Sequence, residues 1–175
     1  MGDPGKEAGA SRPAGADPGG AAPDAPRRGA PRQDGGAGRL TLHATAVALD
    51  GRALLIRGPS GSGKSALAFQ LMALGAGLIA DDLVILTAGP TGPVAACPPA
   101  GAGRIEARGI GILAAPAHPP CTVALVFDRG HRERERMPPR RSTALLGFPV
   151  PLVHDPGTGD VASVLYHYLR FGPAS

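Results

Sequence analysis

The 175-residue chain has no tryptophan, and aromatic residues make up only 3% of it. Stacking on bases needs aromatic platforms, so binding of nucleic acid by that route is excluded. The net charge of +4 is too mild to argue for it by charge alone. Cysteine is scarce: Cys97 and Cys121 are the only two. Neither belongs to a C-x-x-C pair or lies near a histidine pair, which removes a thiolate zinc centre. Two idle thiols suit a cytoplasmic protein. No apolar run approaches the length of a membrane span. No basic start followed by an apolar core marks a signal peptide.

The N-terminus is the poorest region. Residues 1–38 hold 10 Gly, 9 Ala and 6 Pro, with no Val, Ile, Leu, Phe or Tyr, and their five basic and five acidic residues cancel. Such a segment buries too little apolar surface to offset the entropy of ordering, so it is expected to be disordered. The folded domain is then residues 39–175, ample for one core. No internal repeat is visible.

What the chain does have centres on Gly58, Pro59, Ser60, Gly61, Ser62, Gly63, Lys64 and Ser65. This is G-x-x-x-x-G-K-[ST], the phosphate-binding loop of P-loop nucleotide enzymes. Its flanks agree with it. Ala53–Ile56 is a short apolar run that reads as a buried strand, and residues 66–74 read as a helix with Leu67, Leu71 and Leu74 on one face. Glycines let backbone wrap closely around phosphate, and the loop amides with the helix N-terminus point at the anion. Lys64 can reach the β- and γ-phosphates, and the Ser65 hydroxyl can ligate magnesium.

Residues 40–49 read as a strand carrying His43, and Asp50-Gly51 supplies a tight hairpin turn into the strand before the loop. A hairpin feeding the loop differs from a plain βαβ entry. After the helix, Leu78–Ala80 is a short strand ending in Asp81-Asp82. A carboxylate there suits magnesium binding or proton abstraction. Two neighbouring acids on extended backbone point to opposite sides, so one faces the phosphates and the other turns away. Residues 83–86 continue as a strand, and a short strand is expected near 94–97. Arg104–Leu113 carries Glu106 and Arg108 beside a Gly-x-Gly bend; it reads either as a metal and phosphate contact or as an amphipathic edge segment with a surface ion pair. Residues 122–128 form the strongest strand, and its terminal Asp128 rivals the Asp81-Asp82 pair as a Walker B carboxylate. His131–Arg136 is a charge run, read either as a solvated face or as the source of one arginine for phosphoryl transfer. Residues 148–153 read as an edge strand, because Pro149 and Pro151 cannot donate to a ladder. Val161–Phe171 has helical spacing. His154 and His167 show no partner and read as structural.

Taken together, these motifs resemble the HPr kinase/phosphorylase family in its C-terminal catalytic domain, over about residues 40–155. The family's ordered signature is a strand histidine, a P-loop, an Asp-Asp pair and E-x-R-G-x-G. Here these are His43, Gly58–Ser65, Asp81-Asp82 and Glu106–Gly111, with 21 residues from His43 to Lys64 and 17 from Ser65 to Asp82. The resemblance implies an α/β fold: a P-loop domain of the phosphoenolpyruvate-carboxykinase-like type, a mixed sheet with flanking helices. It implies an ATP-dependent serine kinase, using ATP and Mg2+, whose substrate is an HPr-like phosphocarrier protein, and a homo-oligomer with neither nucleic acid nor membrane as partner. Lys64 would hold phosphates, Ser65 and Glu106 would bind magnesium, and Asp82 would be the general base, tuned by His43. Arg136, with Arg132 and Arg134 as neighbouring alternatives, would be the catalytic arginine. The stretch Val153–Asp160 lacks the arginine of the family's second signature, so phosphorylase activity is at most weak. The short form is similar to some alphaproteobacterial members. A small-molecule kinase on the same scaffold and a nucleotide-sensing regulator without phosphotransfer are the alternative readings.

Overall fold

A computed structural model describes residues 1–2 and 38–174. The tail expected to be disordered therefore lies, but for its ends, outside the described residues. The first strand, β1 (Arg39–Leu49), turns at Asp50-Gly51 into β2 (Arg52–Arg57). Both turn residues have positive φ, 49° and 73°, as the tight turn of a two-residue hairpin demands. The loop follows, then α1 (Lys64–Ala73), β3 (Gly77–Ala80), β4 (Leu83–Ala88) and β5 (Pro93–Ala96). A small hairpin, β6 (Arg104–Ala107) and β7 (Gly111–Ala114), forms a two-stranded sheet of its own. The chain then runs through β8 (Cys121–Arg132), β9 (Arg141–Leu145), β10 (Phe148–Asp155) and α2 (Val161–Phe171).

The main sheet is mixed. Pairings run β2–β1–β4–β5–β8–β10–β9, with β3 beside β1, and a parallel β2–β8 pairing closes β2, β1, β4, β5 and β8 into a circuit. β1 makes this possible by changing partners. Its first half, Arg39–His43, pairs with β4; its second half pairs with β2 and β3.

The apolar run Leu54–Ile56 is buried on both faces of the sheet, as a strand without polar alternation must be. Ala53 and Leu55 face a cluster with Ile79, Val84, Leu86 and Val126. Leu54 and Ile56 face the helices, packing with Leu67 and Leu71 of α1 and Leu165 and Leu169 of α2. A register shift in β8, where Val123 pairs with Ala53 but Leu125 with Leu54, sends those two β8 side chains to opposite clusters. Each large side chain buried this way contributes about 1.5–3 kcal/mol. Leu74, expected on the buried face of α1, is instead the exposed C-cap residue.

The 148–153 segment is not an edge strand. β10 lies between β8 and β9, and β9 takes the edge. The prolines are tolerated because β8 pairs with β10 only from Leu152 onward, past Pro149 and Pro151. Among the described residues, no helix is long and apolar enough to cross a membrane.

Candidate active site

The loop between β2 and α1 is built for close approach. Gly58, Gly61 and Gly63 have φ of 150°, 80° and 83°. A Cβ on Gly58 would lie 2.8 Å from Ser62 Oγ and 3.0 Å from Arg129 Cβ, so only glycine fits there. No side chain caps Gly63 at the start of α1. Its first-turn amides are therefore available to an anion. The N-terminus of α2 differs: Asp160 caps it through the Ser163 amide at 3.1 Å.

Lys64 is buried, and its Nζ donates to the carbonyls of Gly58 and Pro59, both at 3.1 Å. It also lies 3.2 Å from His43 Nε2. Burial pushes the Lys64 ammonium below its ordinary value, while Asp82 and Asp81 pull it part of the way back. On the other side of the imidazole, His43 Nδ1 lies 2.9 Å from Asp82 Oδ1. The partners assign the tautomer: Nε2 accepts from Lys64, so the proton is on Nδ1 and is donated to Asp82. His43 stands where β1 leaves β4, and the Ala44 amide donates to the Asp82 carbonyl there at 3.2 Å.

The two acids do not split to opposite sides. Asp82 adopts a left-handed backbone, φ 68°, in the turn between β3 and β4, so the alternation of a strand does not apply. Asp81 and Asp82 both line one cleft of about 400 Å³, together with His43, Lys64, Ser65 and Glu106. Asp81 Oδ1 accepts from Thr45 Oγ1 at 2.7 Å and from Ser65 Oγ at 2.9 Å, and its Oδ2 accepts from the Glu106 amide at 3.0 Å. Asp81 thereby ties β1, α1 and β6 together beneath the cleft.

Asp128 stands elsewhere. It is buried, accepts from Arg57 Nε at 2.9 Å and from the Gly130 amide at 2.8 Å, and contacts His131 at 2.9 Å. Burial works against its charge, but the Gly130 amide, His131 and Arg57 together hold it below the usual carboxylate range. Arg136 is also apart from the cleft, lining a second cavity with Arg140, Arg141 and Pro151. Two other arginines approach the loop. Arg108 lines the cleft, with its guanidinium 3.6 Å from where a Gly61 Cβ would be. The Arg129 guanidinium lies equally close to the Gly63 position and pairs with Asp155 at 3.4 Å.

Thr45 and Arg129 belong to no motif in the sequence, yet both stand at the site. Thr45 had a signal, since residues two apart on a strand share a face and His43 was already singled out. Arg129 had none, because its approach to Gly63 depends on the β2–β8 pairing.

The donor set fits a nucleotide and its metal. Ser62 Oγ is buried in the loop without a hydrogen-bond partner. Ser65, Asp81 and Glu106 offer hard oxygen ligands of the kind magnesium prefers.

Comparison with known proteins agrees. Residues 36–118 match the family model of the HPr Serine kinase C-terminal domain. Over 76 residues the chain is 41% identical to the HPr kinase/phosphorylase of Burkholderia lata, and equally to that of Cupriavidus necator, a stretch covering 43% of this chain and 24% of each relative. The chain thus matches about a quarter of the length of these curated relatives. The structure of the Hpr(Ser) kinase/phosphatase from Coxiella burnetii is similar with a TM-score of 0.62 at 26% identity, covering 74% of this chain and 88% of that one. By motif, sequence and fold together, residues 36–118 of the chain belong to the HPr Serine kinase C-terminal domain of the HPr kinase/phosphorylase family.

Proposed function

We propose that this cleft catalyses transfer of a phosphoryl group from ATP to a serine hydroxyl of an HPr-like phosphocarrier protein in the cytoplasm. The observation that carries it is the line Asp82–His43–Lys64, which couples an exposed carboxylate to the phosphate-binding lysine through one imidazole. A serine hydroxyl is a poor nucleophile until a base takes its proton, and Asp82 faces solvent, where a protein-borne serine can reach it. His43 positions that carboxylate. Lys64 and the loop amides bind and orient phosphate, and Arg108 offsets negative charge at the same cleft. Ser65, Asp81 and Glu106 would hold Mg2+, which neutralises phosphate charge when bound. Arg136, suggested by the family resemblance, has no contact with the cleft in this geometry.

The hairpin entry to the loop supports the phosphoenolpyruvate-carboxykinase-like type of P-loop fold. The reverse, phosphorolytic reaction is weak on this reading. In the stretch lacking the second-signature arginine, Asp155 holds the Gly157 amide at 2.7 Å and Asp160 caps α2, so both serve the fold.

The test is label transfer from γ-labelled ATP. Label should appear on wild-type HPr and vanish when the acceptor serine is replaced by alanine. Absence of label on HPr, with label on a small metabolite instead, would overturn the proposal.

A further inference from the structure

A second cluster lies outside the cleft, where β2, β8 and β10 run parallel. Arg57 pairs with Asp128, and Asp128 with His154, so three adjacent strands carry these residues in one row. Their neighbours Ile56, Phe127 and Val153 pack toward the helices, so the row faces away from them. Beyond Asp128 the chain brings His131 back over the row, its Nδ1 2.9 Å from Asp128 Oδ2. The imidazoles of His131 and His154 stack, with centroids 5.3 Å apart and planes inclined by 27°. One ligand atom from each of Asp128, His131 and His154 lies within 4.8 Å of the others.

We propose that Asp128, His131 and His154 bind a divalent transition-metal cation of the zinc class. Two imidazole nitrogens and one carboxylate oxygen suit zinc, nickel or copper better than magnesium or calcium, which take oxygen ligands. Bonds of about 2.0–2.2 Å to these atoms require donors roughly 3.3–3.5 Å apart, inside the range the cluster spans. Adjustment to the ion falls to His131, whose side chain is 69% exposed. Asp128 is already held in place: Gly130 donates to Oδ1 and Arg57 to Oδ2. Hydrogen bonds to a ligating carboxylate orient it for the metal. The Arg57 charge opposes a cation, which favours a site of moderate affinity. His154 lines an open cavity of about 540 Å³, which gives the ion a way in. None of the three residues lines the nucleotide cleft, so this site is independent of the proposed reaction.

The experiment is chelator-competition titration of the full chain with Zn2+, followed by Co2+ absorption spectroscopy. One equivalent should bind, excess Mg2+ should not displace it, and Co2+ should give ligand-field bands without a thiolate charge-transfer band. His131→Gln and His154→Gln should each weaken binding by more than about tenfold. A Cys97→Ser/Cys121→Ser double variant should bind as the wild type does. His131 is exposed enough that its replacement leaves the fold intact, which circular dichroism checks. Unchanged affinity in both histidine variants, a thiolate band, or displacement by Mg2+ would each overturn the proposal.

Discussion

Asp82 Oδ1 lies 2.9 Å from His43 Nδ1, at the point where β1 parts from β4. The pair exists because the left-handed backbone at Asp82 turns its side chain toward the strand histidine rather than away from it. Lys64 closes the other side of the imidazole. A carboxylate so held, and still exposed, can take a proton from a hydroxyl brought to it.

The first prediction separates the two candidate carboxylates. Asp82→Asn keeps the shape but removes the proposed base, so turnover should fall about 10²–10⁴-fold while nucleotide affinity stays near wild type. Asp128→Asn should stay within a few-fold in turnover. It weakens hydrogen bonds to a buried charge, so its cost is stability, of about 1.5–3 kcal/mol by denaturant titration. His43→Gln should lower turnover by less than Asp82→Asn does. An inactive Asp128→Asn beside an active Asp82→Asn would reverse the assignment.

Arginine use is the second. Arg108 lines the cleft, whereas Arg136 lines a different cavity. Arg108→Ala should therefore reduce kcat/KM by about 10²-fold, the usual loss for one charge-stabilising donor. Arg136→Ala should cost distinctly less. Steady-state kinetics of the two variants at saturating and limiting ATP decides between them, and a larger loss at Arg136 would show that its segment reaches the cleft during turnover.

Gly58→Ala tests the loop. The new Cβ would press on Ser62 Oγ and on Arg129 Cβ, with φ at 150°. Strain of about 1–3 kcal/mol is expected, together with loss of ATP binding as the loop shifts. Thermal melting and nucleotide titration read the two effects separately. Full ATP affinity in the variant would show that the loop tolerates a side chain there.

A fourth prediction concerns acid. The Ser163 hydroxyl and amide hold Asp160 below the ordinary aspartate range. A carboxylate with a depressed folded-state pKa contributes stability above its unfolded value of about 3.9 and loses it as pH falls through the folded value. Asp160→Ala should lower Tm at neutral pH by removing the cap of α2. The gap between variant and wild type should close below the folded pKa. A gap that stays constant into acid would mean that the capping does not depend on the charge.

By itself the sequence determined what is local. Gly58–Ser65 carries its own chemistry, because glycine spacing and a following helix are enough to make a phosphate loop. Asp50-Gly51 dictated the hairpin, through the positive φ that only a few residues accept. The period of Val161–Phe171 gave α2 with its observed ends. The pairing of His43 with Asp82 came from the family resemblance and not from any local pattern, and the two side chains do meet, at 2.9 Å. Tertiary structure decided what depends on strands distant in the chain. The proline-bearing β10 became an inner strand because β8 pairs with only one end of it. Asp81 became the anchor of Thr45, Ser65 and Glu106, across separations of 36, 16 and 25 residues. Asp128, His131 and His154 converge only because β8 and β10 lie side by side in parallel register. No local pattern encodes that register: it follows from burying both faces of β2 and β8 at once, which is a property of the whole core.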